Sequence, residues 1–253
     1  VITNLIPSRF SGWNYVSDIL AHLQDITDYH FIATHQQAWG GEYYLPEVGG
    51  HVVVLLTGGE YYHVPAHLDE VHRIWACYTR RENERLRALP LGPSNDVPII
   101  SYKPPAERNL DVFFSGQRQH RGALPQWRDM LRQAGFKTEI LITKGFLSGL
   151  DGDEYAEKLM DARIALCPTG EAPETFRHYE AARFGCAVIS HPLPGNCLYQ
   201  NSPMRQVSYW AGELVDTVRT LLANIQEESE RSLKWWNDKY EPAAVAQRIR
   251  TSL

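Results

Sequence analysis

With 253 residues, 43% hydrophobic and 22% charged, the chain is sized for one large soluble domain or two small ones. A net charge of −5 with scattered lysines and arginines excludes a broad nucleic-acid footprint, so any anionic ligand must be met by a local basic cluster. No apolar run approaches the ~18 residues of a membrane span. Cys77, Cys167, Cys186 and Cys197 show no C-x-x-C pairing. Neither a zinc site nor a disulfide framework is expected, and a reducing, cytoplasmic compartment fits. The opening Val1-Ile2-Thr3 has no methionine and no signal pattern, as expected of a trimmed chain or one domain of a longer protein.

In chain order, residues 13–28 have helical spacing in Trp13, Val16, Ile19, Leu20 and Leu23. His30–Thr34 reads as a strand, and His51–Thr57 is the most strand-like run of all, ending in Gly58-Gly59-Glu60. A short helix is expected at 66–72, a strand at 74–78, a polar helix from Arg80 to Leu89, and an edge strand at Val97–Ser101. Lys103-Pro104-Pro105-Ala106-Glu107-Arg108 cannot continue a helix or a central strand and reads as a linker, giving domains 1–104 and 105–253.

The second half alternates: strand 110–115, helix 121–134, strand 137–142, helix 153–161, strand 163–167, helix, strand 186–190. That order predicts an α/β fold with a parallel sheet flanked by helices. Helices are expected at 211–226 and 242–252, with an aromatic segment around Trp235, Trp236 and Tyr240 between them.

The chemistry concentrates in Ala165–Ser190. The run ending at Cys167 is punctuated by Pro168 and Gly170, Pro173 suits a first helical turn, and Gly185 suits a helix stop. Arg177 and Glu180, three apart, share one helix face. Two readings fit. One is an intrahelical ion pair over an ordinary turn. The other is a ligand site at the carboxyl edge of the sheet, where N–H groups of Thr169, Gly170 and the helix start meet a phosphate, Arg177 adds charge and Glu180 accepts from sugar hydroxyls.

The phrase A-L-C-P-T-G…E-T-F-R-H-Y-E-A-A-R-F-G-C-A-V-I-S resembles the C-terminal donor-binding half of GT-B glycosyltransferases, closest to the exostosin-like pattern. Asp111–Gly116 followed by Arg118 and Arg121 resembles the first strand and basic loop of the same domain, and the likeness spans roughly residues 107 to 195. It implies two Rossmann-like halves and a terminal helix, residues 242–252, crossing back to the first. It also implies transfer of a hexosyl or pentosyl group from a nucleotide-diphosphate sugar to a glycan hydroxyl, as in polysaccharide synthesis. No metal or other cofactor is implied. Arg118, Arg121, Lys144 and Arg177 would meet the diphosphate, whose charge grows as the glycosidic bond breaks. Glu180 would hold ribose or sugar hydroxyls, and Thr175 stands where many exostosin-like sequences have a serine. The alternative is a non-catalytic nucleotide- or sugar-binding domain of a larger polysaccharide-synthesising protein. An epimerase- or dehydrogenase-like reading lacks a G-x-G-x-x-G after any strand.

Asp151-x-Asp153 has the form of a metal motif, but aspartate just ahead of a helix is more simply a cap. The base for the acceptor hydroxyl is expected in the first half: Glu60 after two glycines, preferred because they allow close approach, or His35, with His63 a third choice. A retaining enzyme would need no such base. Trp39, Tyr43, Tyr44, Tyr61 and Tyr62 surround these loops and suit either sugar stacking or packing.

Overall fold

The computed structural model describes residues 1–35, 45–58, 71–145, 148–207 and 212–253. They form two compact units, one of Val1–Asn95, Pro194–Gln200 and Asp238–Leu253, the other of Asp96–Leu193 and Asn201–Asn237. Each is an α/β unit built on a five-stranded parallel sheet.

The first sheet runs in sequence order: β1 (Ile2–Asn4), β2 (Tyr29–His35), β3 (His51–Thr57), β4 (Arg73–Ala76) and β5 (Leu86–Ala88). Val53–Leu56 of β3 are wholly buried, which explains why that strand reads as a continuous apolar run rather than an alternating one. α1 (Trp13–Ala21) buries Tyr15, Val16, Ile19 and Leu20 and ends earlier than its apolar spacing suggested, in the turn that follows Ala21.

The polar helix expected over 80–89 is instead a turn and β5. The Asn83 side chain accepts from the N–H groups of Arg85 and Leu86, both at 2.8 Å, and this local turn competes with a helix. Leu86–Ala88 then pair with Ile74–Ala76. The strand expected at Val97–Ser101 does not form, and the Val97 carbonyl accepts from Arg183 at 2.8 Å.

The second sheet contains β6 (Leu110–Gln117), β7 (Thr138–Thr143), β8 (Ala162–Cys167), β9 (Ala187–Ser190) and β10 (Arg205–Gln206), in the order β10-β9-β8-β6-β7. α2 (Leu124–Gln133) and α5 (Gly212–Ala223) cover one face, packing on Val112, Phe114, Ile164, Leu166 and Ile189. α3 (Gly152–Met160) serves the other face, where Tyr155 meets the Phe113 ring at 5.7 Å. α4 (Phe176–Arg183) joins β8 to β9 and ends in a Schellman arrangement. Gly185, at φ +66°, donates to Ala182 and Cys186 donates to Ala181. α6 (Ile225–Lys239) and α7 (Pro242–Ser252) close the chain.

The Lys103–Arg108 stretch, read as a linker, lies inside the second unit. Arg108 is 1% exposed and donates to the carbonyls of Lys103, Ala162, Gly185 and Phe184. No described helix is long and apolar enough to cross a membrane.

Candidate functional site

In an open parallel sheet, ligands bind beyond the carboxyl ends of the strands, where successive connections leave in opposite directions. Among the described residues the first sheet has no such point, because each strand lies beside its predecessor. The second has one, between β6 and β8: from β6 the chain goes to β7 on one side, then returns to β8 on the other. The residues just beyond those two ends are Arg118–Arg121 and Pro168–Thr175.

Two arginines lie near one another there. Arg177, near the start of α4, reaches across to β6 and donates from Nε to the Ser115 carbonyl at 2.8 Å, its guanidinium 5.3 Å from the Phe114 ring centre. Arg121, in the loop after β6, donates to the Gln117 carbonyl at 3.0 Å and lies against the β8 loop. Each is accommodated by a glycine. A Cβ on Gly116 would come within 2.3 Å of Arg177 Nη2, and one on Gly170 within 2.7 Å of Arg121 Nη2.

Neither arginine has a carboxylate partner within ion-pair distance among the described residues. Arg121 is buried, and burial followed by repulsion from Arg177 pulls its pKa down to about 10. Two neighbouring guanidiniums with no carboxylate in ion-pair range among the described residues are chemically suited to an anion.

A histidine scaffold holds the loop beneath them. Thr175 caps α4, and its N–H donates to His178 Nδ1 at 3.1 Å, which leaves the proton on Nε2 for Ser190 Oγ at 2.9 Å. Ser190 in turn donates to the His191 carbonyl at 2.7 Å. Burial pulls His178 down to about 4, so the ring is neutral. His191 accepts from the Thr169 N–H at 3.1 Å.

This scaffold corrects part of the expectation. The Thr169 N–H is committed to His191, and the Gly170 N–H donates to the Ala172 carbonyl at 3.0 Å, so neither is open to a phosphate. Pro173 precedes α4 rather than opening its first turn, because the Thr175–His178 capping box sets the helix start. Arg177 and Glu180 do not pair with each other. Glu180 is buried and accepts from the Tyr155 hydroxyl at 3.0 Å. Tyr155 is pushed well up, first by burial and then by the Glu180 charge, so it stays a donor.

Arg118 and Lys144 are exposed on the same carboxyl edge, where the Arg118 N–H donates to the Thr143 carbonyl at 3.1 Å. Asp151 is the N-cap of α3, accepting from the Glu154 N–H at 2.9 Å, while Asp153 is exposed in the first turn. Among the described residues no group of three or more His, Cys, Asp or Glu is arranged to hold a metal.

In the first unit, His35 ends β2 with Nδ1 3.0 Å from Thr57 Oγ1. That hydroxyl donates to the Thr34 carbonyl at 3.3 Å, so it accepts from His35 Nδ1–H and leaves the Nε2 lone pair available. Burial lowers the His35 pKa, keeping the ring neutral. Glu60, His63, Trp39, Tyr43, Tyr44, Tyr61 and Tyr62 lie outside the described residues.

The sequence reading missed Gly116, His178 and His191. A legible signal existed for His178 alone, three positions after the capping Thr175.

No family model and no curated protein sequence matches the chain. Its fold is similar to that of AviGT4, a glycosyltransferase involved in avilamycin A biosynthesis, over 99% of this chain and 96% of that one. The TM-score is 0.54 and the identity 15%. It is also similar to sucrose-phosphate synthase from Thermosynechococcus elongatus, over 94% of this chain and 76% of that one, with a TM-score of 0.54 and 11% identity. The architecture of two parallel sheets flanked by helices is that of GT-B glycosyltransferases.

Proposed function

We propose that the chain transfers a sugar from a nucleotide-diphosphate donor to a hydroxyl of a glycan acceptor, without a metal ion. The observation that carries this reading is the Arg121–Arg177 pair, unpaired with any described carboxylate and seated on Gly116 and Gly170 at the switch point of a GT-B fold. As the anomeric carbon–oxygen bond breaks, the departing diphosphate gains charge, and fixed guanidiniums stabilise that charge more than the ground state. Arg118 and Lys144, exposed on the same edge, supply further positive charge. Glu180, oriented by Tyr155, holds donor hydroxyls, and Thr175 helps to set the loop. His35 takes the acceptor proton at Nε2 as the new carbon–oxygen bond forms. Glu60 is the other candidate for that role.

The A-L-C-P-T-G…R-H-Y-E phrase supports an exostosin-like branch working on polysaccharide, and the cysteine usage supports a cytoplasmic compartment. Metal independence is supported by Asp151, whose side chain is spent on a helix cap.

The test is a thermal-shift screen against UDP, GDP, CMP, dTDP and their sugars, followed by a product assay with the nucleotide that binds. A ligand at about a hundred times its dissociation constant stabilises by roughly 2.7 kcal/mol. We expect one diphosphate to stabilise the chain, Arg177→Ala to remove that shift, and turnover to fall by about 10²–10³ in Arg177→Ala. Arg177→Lys does not restore it, because a point charge lacks the fork. His35→Gln keeps the thermal shift and loses turnover. Absence of any nucleotide-dependent shift defeats the reading.

A further inference from the structure

His35, at the end of β2, has an aromatic ring against it: Phe10 lies 4.3 Å away between centroids, with the two planes tilted by 38°. Both residues belong to the first unit, and Phe10 stands in the loop that leaves β1, the strand beside β2. The Thr57 hydroxyl fixes which His35 nitrogen carries the proton, but one hydrogen bond leaves the imidazole free to pivot about it. A ring packed against it removes that freedom and keeps water from one side.

Phe10 is itself held. Its N–H donates to the Pro7 carbonyl at 2.8 Å, and its carbonyl accepts from the Trp13 N–H at 3.0 Å and from Asn95 Nδ2 at 2.7 Å. Asn95 Oδ1 accepts in turn from the Asn14 N–H at 2.9 Å. Gly12 leaves room for the ring: a Cβ there would lie 2.8 Å from Phe10 Cε1, whereas the Leu91 carbonyl, at 3.4 Å, is in ordinary contact. Phe10 is only half-buried, so core packing alone does not account for a loop fixed so firmly around it.

The charged groups on the neighbouring elements are Arg9, in the same loop, and Asp18, on α1, and both are exposed. β1 and the carboxyl end of β3 carry none. Among the described residues, burial is the cause of the lowered His35 pKa, because it penalises the charged form.

We propose that Phe10 is a positioning residue for the acceptor step, holding the His35 imidazole in one orientation and shielding it so that the base stands unprotonated at neutral pH. That His35 is the base rests on the function proposed above; that Phe10 governs the ionisation of His35 does not. A base works only with its lone pair in hydrogen-bond reach of the hydroxyl, so a ring left to pivot loses rate even when it is unprotonated.

The experiment follows the imidazole resonances of the whole 15N-labelled chain from about pH 5 to about pH 8, the range in which histidine titrates. The His35 signals are assigned by their loss in His35→Gln. We expect the His35 midpoint to lie below 6.5 in the parent and to move up towards 6.5 in Phe10→Ala, which admits water. Phe10→Leu restores apolar cover and returns the midpoint most of the way. Gly12→Ala displaces the ring without deleting it and shifts the midpoint in the same direction, which keeps the proposal testable should Phe10→Ala not fold. In the product assay the acid limb of the kcat profile moves up with the midpoint. At about pH 8, where His35 is unprotonated in every variant, Phe10→Ala lowers kcat about tenfold through misplacement and leaves the donor KM unchanged.

An unmoved midpoint, or a kcat at that pH equal to the parent's, overturns the proposal; if His35→Gln is still inactive, the base reading stands without it. A midpoint that falls also overturns it, since the phenyl face would then be stabilising the imidazolium. A midpoint that rises while His35→Gln keeps full turnover overturns the catalytic role of Phe10 and defeats the base assignment with it, leaving only its hold on the His35 proton.

Discussion

His178 shows how a single buried side chain ties the anion loop to pH. The ring is wholly buried and neutral, its two nitrogens taken up by Thr175 and Ser190. Burial lowers its pKa from 6.5 to about 4. In that window the unfolded chain binds a proton that the folded chain does not, so stability rises with pH. The contribution is complete above about 6.5 and is lost as pH falls to about 4; the shift is worth roughly 3 kcal/mol at ~1.36 kcal/mol per pH unit. His178→Gln is therefore expected to be less stable at neutral pH, with a flatter stability curve between pH 6.5 and 4. Urea unfolding at half-unit pH steps measures it. A variant with the unaltered slope would show that other groups carry the acid sensitivity.

Among the elements, β6 and α4 are coupled through one missing side chain. Gly116 lies in a strand with no positive φ, so alanine meets no backbone strain there. What it meets first is Arg177 Nη2, 2.3 Å from the new Cβ, and then the Phe114 ring, 3.1 Å away, which must give by a few tenths of an ångström. Gly116→Ala is expected to displace that guanidinium while leaving the melting temperature close to that of the parent. A misplacement of about 1 Å can cost ~10²-fold in turnover. The double variant with Arg177→Ala should be no worse than Arg177→Ala alone, because both changes act on one group. Additive losses in the cycle would mean that Gly116 acts elsewhere.

The same elements show which parts of the structure were legible in the sequence. β3 and the unit from β8 to β9 announce themselves through unbroken apolar runs and glycine stops. β5 does not, since Leu86-Arg87-Ala88 has no pattern of its own and forms only by pairing with β4. Arg177 and Arg121 were visible as charge next to a sheet edge. What could not be read was which N–H groups the fold consumes. Thr169 is spent on His191, twenty-two residues away in sequence.

At the scale of the molecule, each of the two units has its own parallel sheet, and Arg108, buried in the second, provides the means to test whether one opens without the other. It carries its charge to the end of α4, where the carbonyls of Phe184 and Gly185 concentrate negative potential, and it also takes the carbonyls of Lys103 and Ala162. Its guanidinium is 5.5 Å from the Tyr102 ring centre. Arg108→Met keeps most of the volume and removes every one of those donors. Each buried acceptor left stranded costs about 1–3 kcal/mol, so the second unit should lose several kcal/mol. Hydrogen exchange read by mass spectrometry should show faster exchange through β6, β8, α4 and β9, with β2 and β3 of the first unit unchanged. A bound nucleoside diphosphate should then slow exchange in the second unit of the same variant, through the loops after β6 and β8, and leave the first unit as it was. Equal acceleration in both sheets would mean that the chain opens as one cooperative body, and that Arg108 holds together more than the unit in which it is buried.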